Sequence, residues 1–319
     1  MTHKTEIPVF FTIDDSYAPY LSVALLSAIQ NASPTRRYRA IVLHQGLSEE
    51  HVKRLGALAT ENFAVDFIPM GDGLSAITDR MSNRLRCDYF TLTIYFRLFI
   101  PAMFPQYEKA VYLDSDVVVT GDLAELYDTE LGEKYIAACP DLSVRGVPPL
   151  CEYMEQGVGV SRYEYINSGV LLMDLDKLRR AELDCRFLEL LTTYHFDSIA
   201  PDQDYLNAML NGKIRYLGEE WDAMPDPERE PLAAPKLIHY NLFSKPWCYD
   251  GIPYGETFWQ YARKSDYYGD ICAHKAAYGE EQKEKDRACL DLLVRRGGEI
   301  ARAEGTFRQM YEKGVAVRL

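Results

Sequence analysis

The chain has 319 residues, 47% of them hydrophobic, and a formal net charge of −13 with a sequence pI near 5.0. That length and apolar content suffice for one large globular domain, or a domain with an appendage, and exclude disorder as its general state. The acidity excludes a general nucleic-acid binder, which needs a basic footprint to neutralise phosphates, so an anionic ligand must be held locally by a metal, a few cations or backbone amides.

In chain order, short β-rich apolar runs alternate with longer amphipathic stretches, the pattern of βαβ units and a largely parallel sheet in an α/β fold. Strands are predicted over Ile7–Ile13, Tyr38–His44, Ala64–Pro69, Ala110–Leu113, Tyr135–Ala138 and Ile166–Met173. After the first strand, "YAPYLSVALLSAIQN" has helical spacing and ends at Asn31. "LSEEHVKRLGALAT" opens with Ser48 as N-cap and two acids in the first turn, where the helix dipole favours negative charge. "TLTIYFRLFIP" is predicted as a helix stopped by Pro101. Residues 1–250 are expected to form one catalytic unit and 251–319 an extension, aromatic-rich in "YGETFWQYARKSDYYGD" and then charged and helical. Packing of that extension on the main domain is expected, with peripheral contact to a membrane surface or to a partner as the alternative.

Five stretches carry chemistry, because in such a sheet distant loops converge beyond the carboxyl ends of the strands. "FTIDDSYAPY" puts Asp14, Asp15 and Tyr17 after the first strand, where a carboxylate can accept from a base N–H and a ring can stack on it; a cap and turn is the plainer explanation. "YLDSDVVVTGD" sets Asp114 and Asp116 either side of Ser115 after an apolar run. Two such carboxylates repel unless a cation lies between them, and an extended chain points both to one side, where they can ligate a divalent ion able to bridge to a diphosphate.

Asn167, Ser168 and Gly169 interrupt a buried strand pattern in "YEYINSGVLLMDLDKL", which suggests close approach to a ligand. In "APDQDYLNAML", Pro201 can start a helix with Asp202, Gln203 and Asp204 in its first turn. Finally, "KLIHYNLFSKPW" offers His239 to complete an Asp/Asp/His set, suited to Mn²⁺ or Mg²⁺ rather than structural zinc, and Lys245 as a point charge for a phosphate oxygen.

Taken in order, these stretches resemble the family-8 retaining glycosyltransferases, the group containing glycogenin and the bacterial lipooligosaccharide galactosyltransferases, over roughly residues 7 to 250. The resemblance implies a GT-A fold, a Rossmann-like mixed but mostly parallel sheet flanked by helices, with a UDP-sugar donor and Mn²⁺, or alternatively Mg²⁺. It implies Asp14 on the uracil, Tyr17 stacked against it and Arg97 in contact with the donor, with Asp15, Ser115 and Ser168 beside them. Asp114, Asp116 and His239 become the metal ligands, Asp114 also reaching the sugar hydroxyls, and Lys245 becomes the β-phosphate contact. Asn167 and Asp202 hold the transferred sugar, Gln203 lies near the anomeric carbon, and Asp141 lies near the sugar or acceptor. Leu242 departs from the Gly that many members have between the His and the Lys, and Ser16 from an Asn that contacts the ribose in some.

The implied activity is metal-assisted transfer of a hexose, glucose or galactose, to a hydroxyl of a glycan or glycolipid acceptor, with retention. A haloacid-dehalogenase-type phosphatase also ends an apolar strand in D-x-D, with Asp114 attacking and Asp116 protonating, but its motif normally opens the chain. A nucleotide-sugar-binding module without catalysis is the non-enzymatic alternative. The seven scattered cysteines (Cys87, Cys139, Cys151, Cys185, Cys248, Cys272, Cys289) include no C-x-x-C, so neither a disulfide framework nor a zinc cluster is expected. With acids arriving early in "MTHKTEIPVFFTIDDS" and no run approaching the roughly 18 apolar residues of a span, the protein is expected in the cytoplasm, there or at the inner face of the membrane.

Overall fold

The computed structural model describes residues 6–70 and 92–319; Cys87 and Thr91 lie outside them. Strand β1 (Glu6–Ile13) is buried from Ile7 onward, as a strand covered on both faces must be. Asp14 ends it by accepting from the Ser16 backbone N–H at 2.9 Å, which opens a single 3₁₀ turn before α1 (Ala18–Asn31). Next come β2 (Arg37–His44), α2 (Glu49–Gly56) with its Ser48 cap and acidic first turn, and β3 (Phe63–Pro69). Helix α3 (Phe96–Met103), strands β4 (Lys109–Leu113) and β5 (Val117–Val119), helix α4 (Leu123–Tyr127), strand β6 (Ile136–Ala138) and helix α5 (Pro148–Glu152) follow. Then come β7 (Val170–Asp174), α6 (Leu175–Arg180), α7 (Leu183–Tyr194), α8 (Pro201–Met209), β8 (Ile214–Tyr216) and β9 (Leu237–His239).

Seven strands form one sheet in the order β3-β2-β1-β4-β7-β6-β8, and β5 pairs with β9 in a separate ribbon. The pairs β3–β2, β2–β1, β1–β4 and β6–β8 are parallel, whereas β7 runs antiparallel to both its neighbours. The sheet is therefore mixed and mostly parallel, a GT-A-type arrangement. Alternate side chains feed two apolar layers: Ala110 and Tyr112 of β4 enter one, Val111 and Leu113 the other.

Most predicted strand ends lie within one residue of those observed, and two boundaries differ further. The strand expected over Ile166–Met173 begins only at Val170, because Asn167 Oδ1 accepts from the Gly169 N–H at 2.8 Å and curls the chain into a turn. Ile166 retains a single bridge, to Pro140. The helix expected to stop at Pro101 instead carries it inside and continues to Met103. Only two residues follow it, so the lost N–H disrupts little beyond the last turn.

The chain closes with α9 (Gly255–Ala262), α10 (Tyr268–Ala277), α11 (Glu280–Ala301) and α12 (Phe307–Glu312). These pack on the main body. Phe258 and Tyr267 enter the layer beside α1, so much of the aromatic content of this segment faces the core. Helix α11 approaches α5 so closely that a Cβ at Gly297 would come within 2.7 Å of Leu150 Cδ2. The buried Phe307 stacks on Phe196 with ring centroids 4.0 Å apart, and the Leu319 N–H donates to the Met209 carbonyl at 2.9 Å. Phe307→Ala is therefore expected to lower the unfolding free energy of the whole chain by about 3 kcal/mol, in a single urea transition. A separate transition confined to the extension, or no change, would show that α12 is merely appended.

Candidate active site and metal centre

The site is built where the two sheets meet. Leaving β4 at Leu113 and entering β5 at Val117, the chain carries Asp114, Ser115 and Asp116 across the junction. The β5–β9 ribbon pairs Val117 with His239, and the Tyr240 N–H donates to the Asp116 carbonyl at 3.0 Å, so strand register sets the imidazole beside that carboxylate. From the other side the Asp114 N–H donates to the Gly169 carbonyl at 2.7 Å. One ligand atom from each of Asp114, Asp116 and His239 lies within 4.8 Å of the others.

His239 Nε2 is 3.3 Å from Asp116 Oδ1 and 3.9 Å from Asp114 Oδ2, while Nδ1 is 3.0 Å from Asp222 Oδ1. Nε2 thus faces the two ligand carboxylates and Asp222 orients the ring from behind, the usual role of a carboxylate behind a metal-binding histidine. Burial disfavours the charged ring, but Asp116 and then Asp222 outweigh it and lift the His239 pKa to about 10. Burial also raises the Asp116 carboxyl, yet Lys245 and His239 more than reverse this and hold it well below the usual carboxylate range. Lys245 Nζ bonds Asp116 Oδ2 directly. Asp116 Oδ1 is buried and, despite its proximity to His239, makes no hydrogen bond. An orphaned carboxylate oxygen, a second carboxylate and an imidazole nitrogen facing one point fit a divalent cation of the Mn²⁺ or Mg²⁺ type.

Arg97, from α3, organises the opposite wall. Its guanidinium bonds Asp114 Oδ1 at 2.9 Å and the Ser168 carbonyl at 2.6 Å, and lies 3.2 Å from Asp202 Oδ2. Tyr112 OH also donates to Asp114 Oδ1, at 2.9 Å. Ser168 Oγ donates to Asp202 Oδ2 at 2.9 Å, and the Ser168 N–H to Gln203 Oε1 at 3.1 Å. The Gln203 amide donates in turn to Asp141 Oδ2 at 2.9 Å, and the Asn167 amide reaches the same oxygen at 3.3 Å. Burial raises the Asp202 carboxyl, an effect Arg97 opposes and the Asp114 charge reinforces.

These groups open onto a cleft of about 480 Å³. Every residue expected to bind donor or metal lines it except Asp15. Asp15 turns away: its carboxylate accepts from the Ser48 N–H at 2.7 Å and lies 3.7 Å from His51, anchoring the start of α2. Asp141 sits buried behind the cleft, where it orients Asn167 and Gln203. Asp14 caps its turn and lines the cleft as well. Leu242, where a Gly was noted as common, takes φ 49°, the left-handed region that glycine occupies without strain. The leucine keeps a glycine-like backbone at a cost of about 1 kcal/mol.

Two groups had no signal in the sequence. Asp222 follows Trp221 in an irregular turn, and only the need of a buried imidazole for a second partner points to it. Asp286 and Cys289 of α11 also line the cleft, although they are far along the chain in a stretch of ordinary amphipathic helix.

A GT-A-type sheet with an Asp-x-Asp pair and a histidine converging at its carboxyl edge defines the class. Residues 8–251 match the model for glycosyl transferase family 8, and the chain belongs to that family. It is 27% identical over 220 residues to a Haemophilus influenzae protein, covering 68% of this chain and 63% of that one. It is 28% identical over 190 residues to a lipopolysaccharide 1,2-glucosyltransferase of Escherichia coli, covering 52% of this chain and 53% of that one. The chain thus spans somewhat more than half the length of each. Among solved structures it resembles the galactosyltransferase LgtC, crystallised with donor and acceptor sugar analogues, at 26% identity and a TM-score of 0.66, covering 82% of this chain and 96% of that one.

Gly169 supplies the clearest test of the cradle. A Cβ there would lie 2.3 Å from His239 Cε1 and 2.7 Å from Asp114 Oδ2, so Gly169→Ala must push two of the three ligands aside. We expect Mn²⁺ affinity, read by calorimetry, to fall about tenfold or more while the chain stays folded. Unchanged affinity would place the cation elsewhere.

Proposed function

We propose that the chain transfers a hexose, glucose or galactose, from a UDP-sugar to a hydroxyl of a glycan or glycolipid, with retention at the anomeric carbon and with Mn²⁺ or Mg²⁺ bound by Asp114, Asp116 and His239. The observation that carries this is the convergence of those three ligands with Lys245, Arg97 and Gln203 in one cleft, in a chain of glycosyl transferase family 8. In this reading Asp14 accepts from the uracil N–H and Tyr17 stacks on the base. Arg97, Asp114, Ser115, Asn167, Ser168 and Asp202 hold the sugar, with Gln203 and Asp202 nearest the reacting carbon. A bound divalent cation supplies Lewis-acid neutralisation of the diphosphate.

The chemistry required of the chain itself follows from the charges. As the bond between the anomeric carbon and the β-phosphate oxygen breaks, negative charge builds on the diphosphate, and Lys245 stabilises it. Retention requires a covalent sugar intermediate or attack on the face that the leaving group vacates. Gln203 is an amide and a poor nucleophile, and the Asp202 carboxylate is engaged by Arg97 and Ser168. We therefore favour front-face attack: the acceptor oxygen bonds to the anomeric carbon, and its proton passes to the departing phosphate oxygen. Arg97 and Asp141, through Ser168 and Gln203, keep the polar wall rigid on that side.

Neither alternative has support. Asp114 Oδ1 is tied to Arg97 and Tyr112, a poor position for a phosphatase nucleophile, and nothing points to a module that only binds. Among the described residues no helix is long and apolar enough to cross a membrane. For a glycolipid acceptor at the inner membrane face, the buried Phe258 and Tyr267 of the extension are not available for contact.

Incubation with UDP-glucose and UDP-galactose in the presence of Mn²⁺ is expected to give slow hydrolysis of one of them without any acceptor. Asp116→Asn should abolish it, and normal turnover with normal metal dependence in that variant would refute the assignment. Gln203→Ala is expected to lower turnover about a hundredfold while UDP affinity is unchanged. Equal turnover would remove Gln203 from the reacting centre.

A further inference from the structure

Helix α11 lies beyond the residues that match the family model, yet it contributes Asp286 to the wall of the donor cleft. A second cavity of about 290 Å³ adjoins that cleft, and the two share Tyr17, Leu242, Phe243, Lys245 and Asp286. Asp286 therefore borders the same space as the ring assigned to the base and the ammonium assigned to the phosphate. Between base and phosphate in any nucleoside diphosphate lies the ribose.

The surroundings of this carboxylate select the kind of group it can take. Asp286 Oδ2 accepts from both Tyr249 OH, at 2.5 Å, and Tyr278 OH, at 2.6 Å, which fixes the side chain. Oδ1 has no hydrogen-bond donor, and the carboxylate has no salt-bridge partner, among the described residues. Lys245, the cation on the same wall, is engaged by Asp116. An uncompensated carboxylate repels a phosphate and accepts well from neutral hydroxyls, as acidic residues do on the ribose of dinucleotides. Ser16, which also lines the second cavity, gives its hydroxyl proton to Asp14 at 2.6 Å and is left with only a neutral acceptor, weaker than a carboxylate.

We propose that Asp286 is a donor-binding residue that accepts from the ribose hydroxyls of the UDP-sugar, so that α11 completes the nucleotide site. This rests on the donor assignment made above. It makes the extension part of ligand recognition as well as of the core.

The test uses the full chain with Mn²⁺ and two probes, UDP and 2′,3′-dideoxy-UDP, titrated by calorimetry. Wild type is expected to bind UDP at least about tenfold more tightly than the dideoxy nucleotide, the scale of one charge-assisted hydrogen bond. Asp286→Asn, which preserves shape and an acceptor for the tyrosines, is expected to weaken UDP about tenfold and leave dideoxy-UDP unchanged. Loss of affinity for both probes alike would mean a purely structural role and overturns the proposal, as does an Asn variant that still discriminates like wild type. Equal wild-type affinity for the two probes overturns it whatever the variant does. Failure of wild type to bind UDP at all would sink the donor assignment itself, a result distinct from tight UDP binding that ignores the ribose hydroxyls.

Discussion

Two aspartates one residue apart, at the end of a buried strand, form the constraint around which the rest of this protein is arranged. Like charges in such a place are untenable unless each is compensated. The compensation is divided between the two walls. Asp114 is held by Arg97 and Tyr112 from the main sheet and its helices, and Asp116 by Lys245 and His239 from the β5–β9 side. Two of these partners also bond a further site group: Arg97 binds Ser168 and pairs with Asp202, and His239 leans on Asp222. The charge balance of the aspartates thereby fixes the geometry of the cleft. Asp116 Oδ1, left unbonded in the interior, marks where that balance is incomplete. The divalent cation proposed for this site would complete it.

The extension follows a similar logic at lower charge density. Many of its aromatic residues, which by composition could have belonged to a surface for membranes or partners, fill the apolar layers on both faces of the sheet. Phe307 sits against Phe196 and Tyr205 on one side, and Phe258 against Trp247 and Tyr240 on the other. Because Lys245 and Trp247 lie in the same loop as Leu242, packing of Phe258 of α9 on Trp247 and the bond from Tyr249 to Asp286 of α11 tie the extension to the Lys245 end of the cleft. The left-handed backbone at Leu242 shows how tightly this loop is specified.

The sequence made the fold legible where burial imposes a simple pattern. β1 and β4 are apolar runs because both faces are covered, and α2 carries a cap and an acidic turn that only a helix start explains. The Asp-x-Asp pair was legible because its repulsion demands a partner, and His239 because it follows an apolar strand. Where tertiary hydrogen bonds override periodicity, the pattern misleads: Asn167 turns a chain that reads as strand, and α3 runs through Pro101. Asp15 looked equivalent to Asp14, but one residue of displacement after a strand reverses direction, and it serves α2 instead. Asp222 and Asp286 were invisible because nothing in their local sequence distinguishes them; only folding brings one behind His239 and the other to the cleft.

The most direct measurement is pulsed electron–nuclear resonance on Mn²⁺ bound to the full chain with UDP, using protein labelled with ¹⁵N-histidine. One Mn²⁺ per chain with coupling to a single imidazole nitrogen, lost in His239→Ala, is the predicted result. A bound ion without any histidine coupling, or a coupling that survives that substitution, would contradict the account.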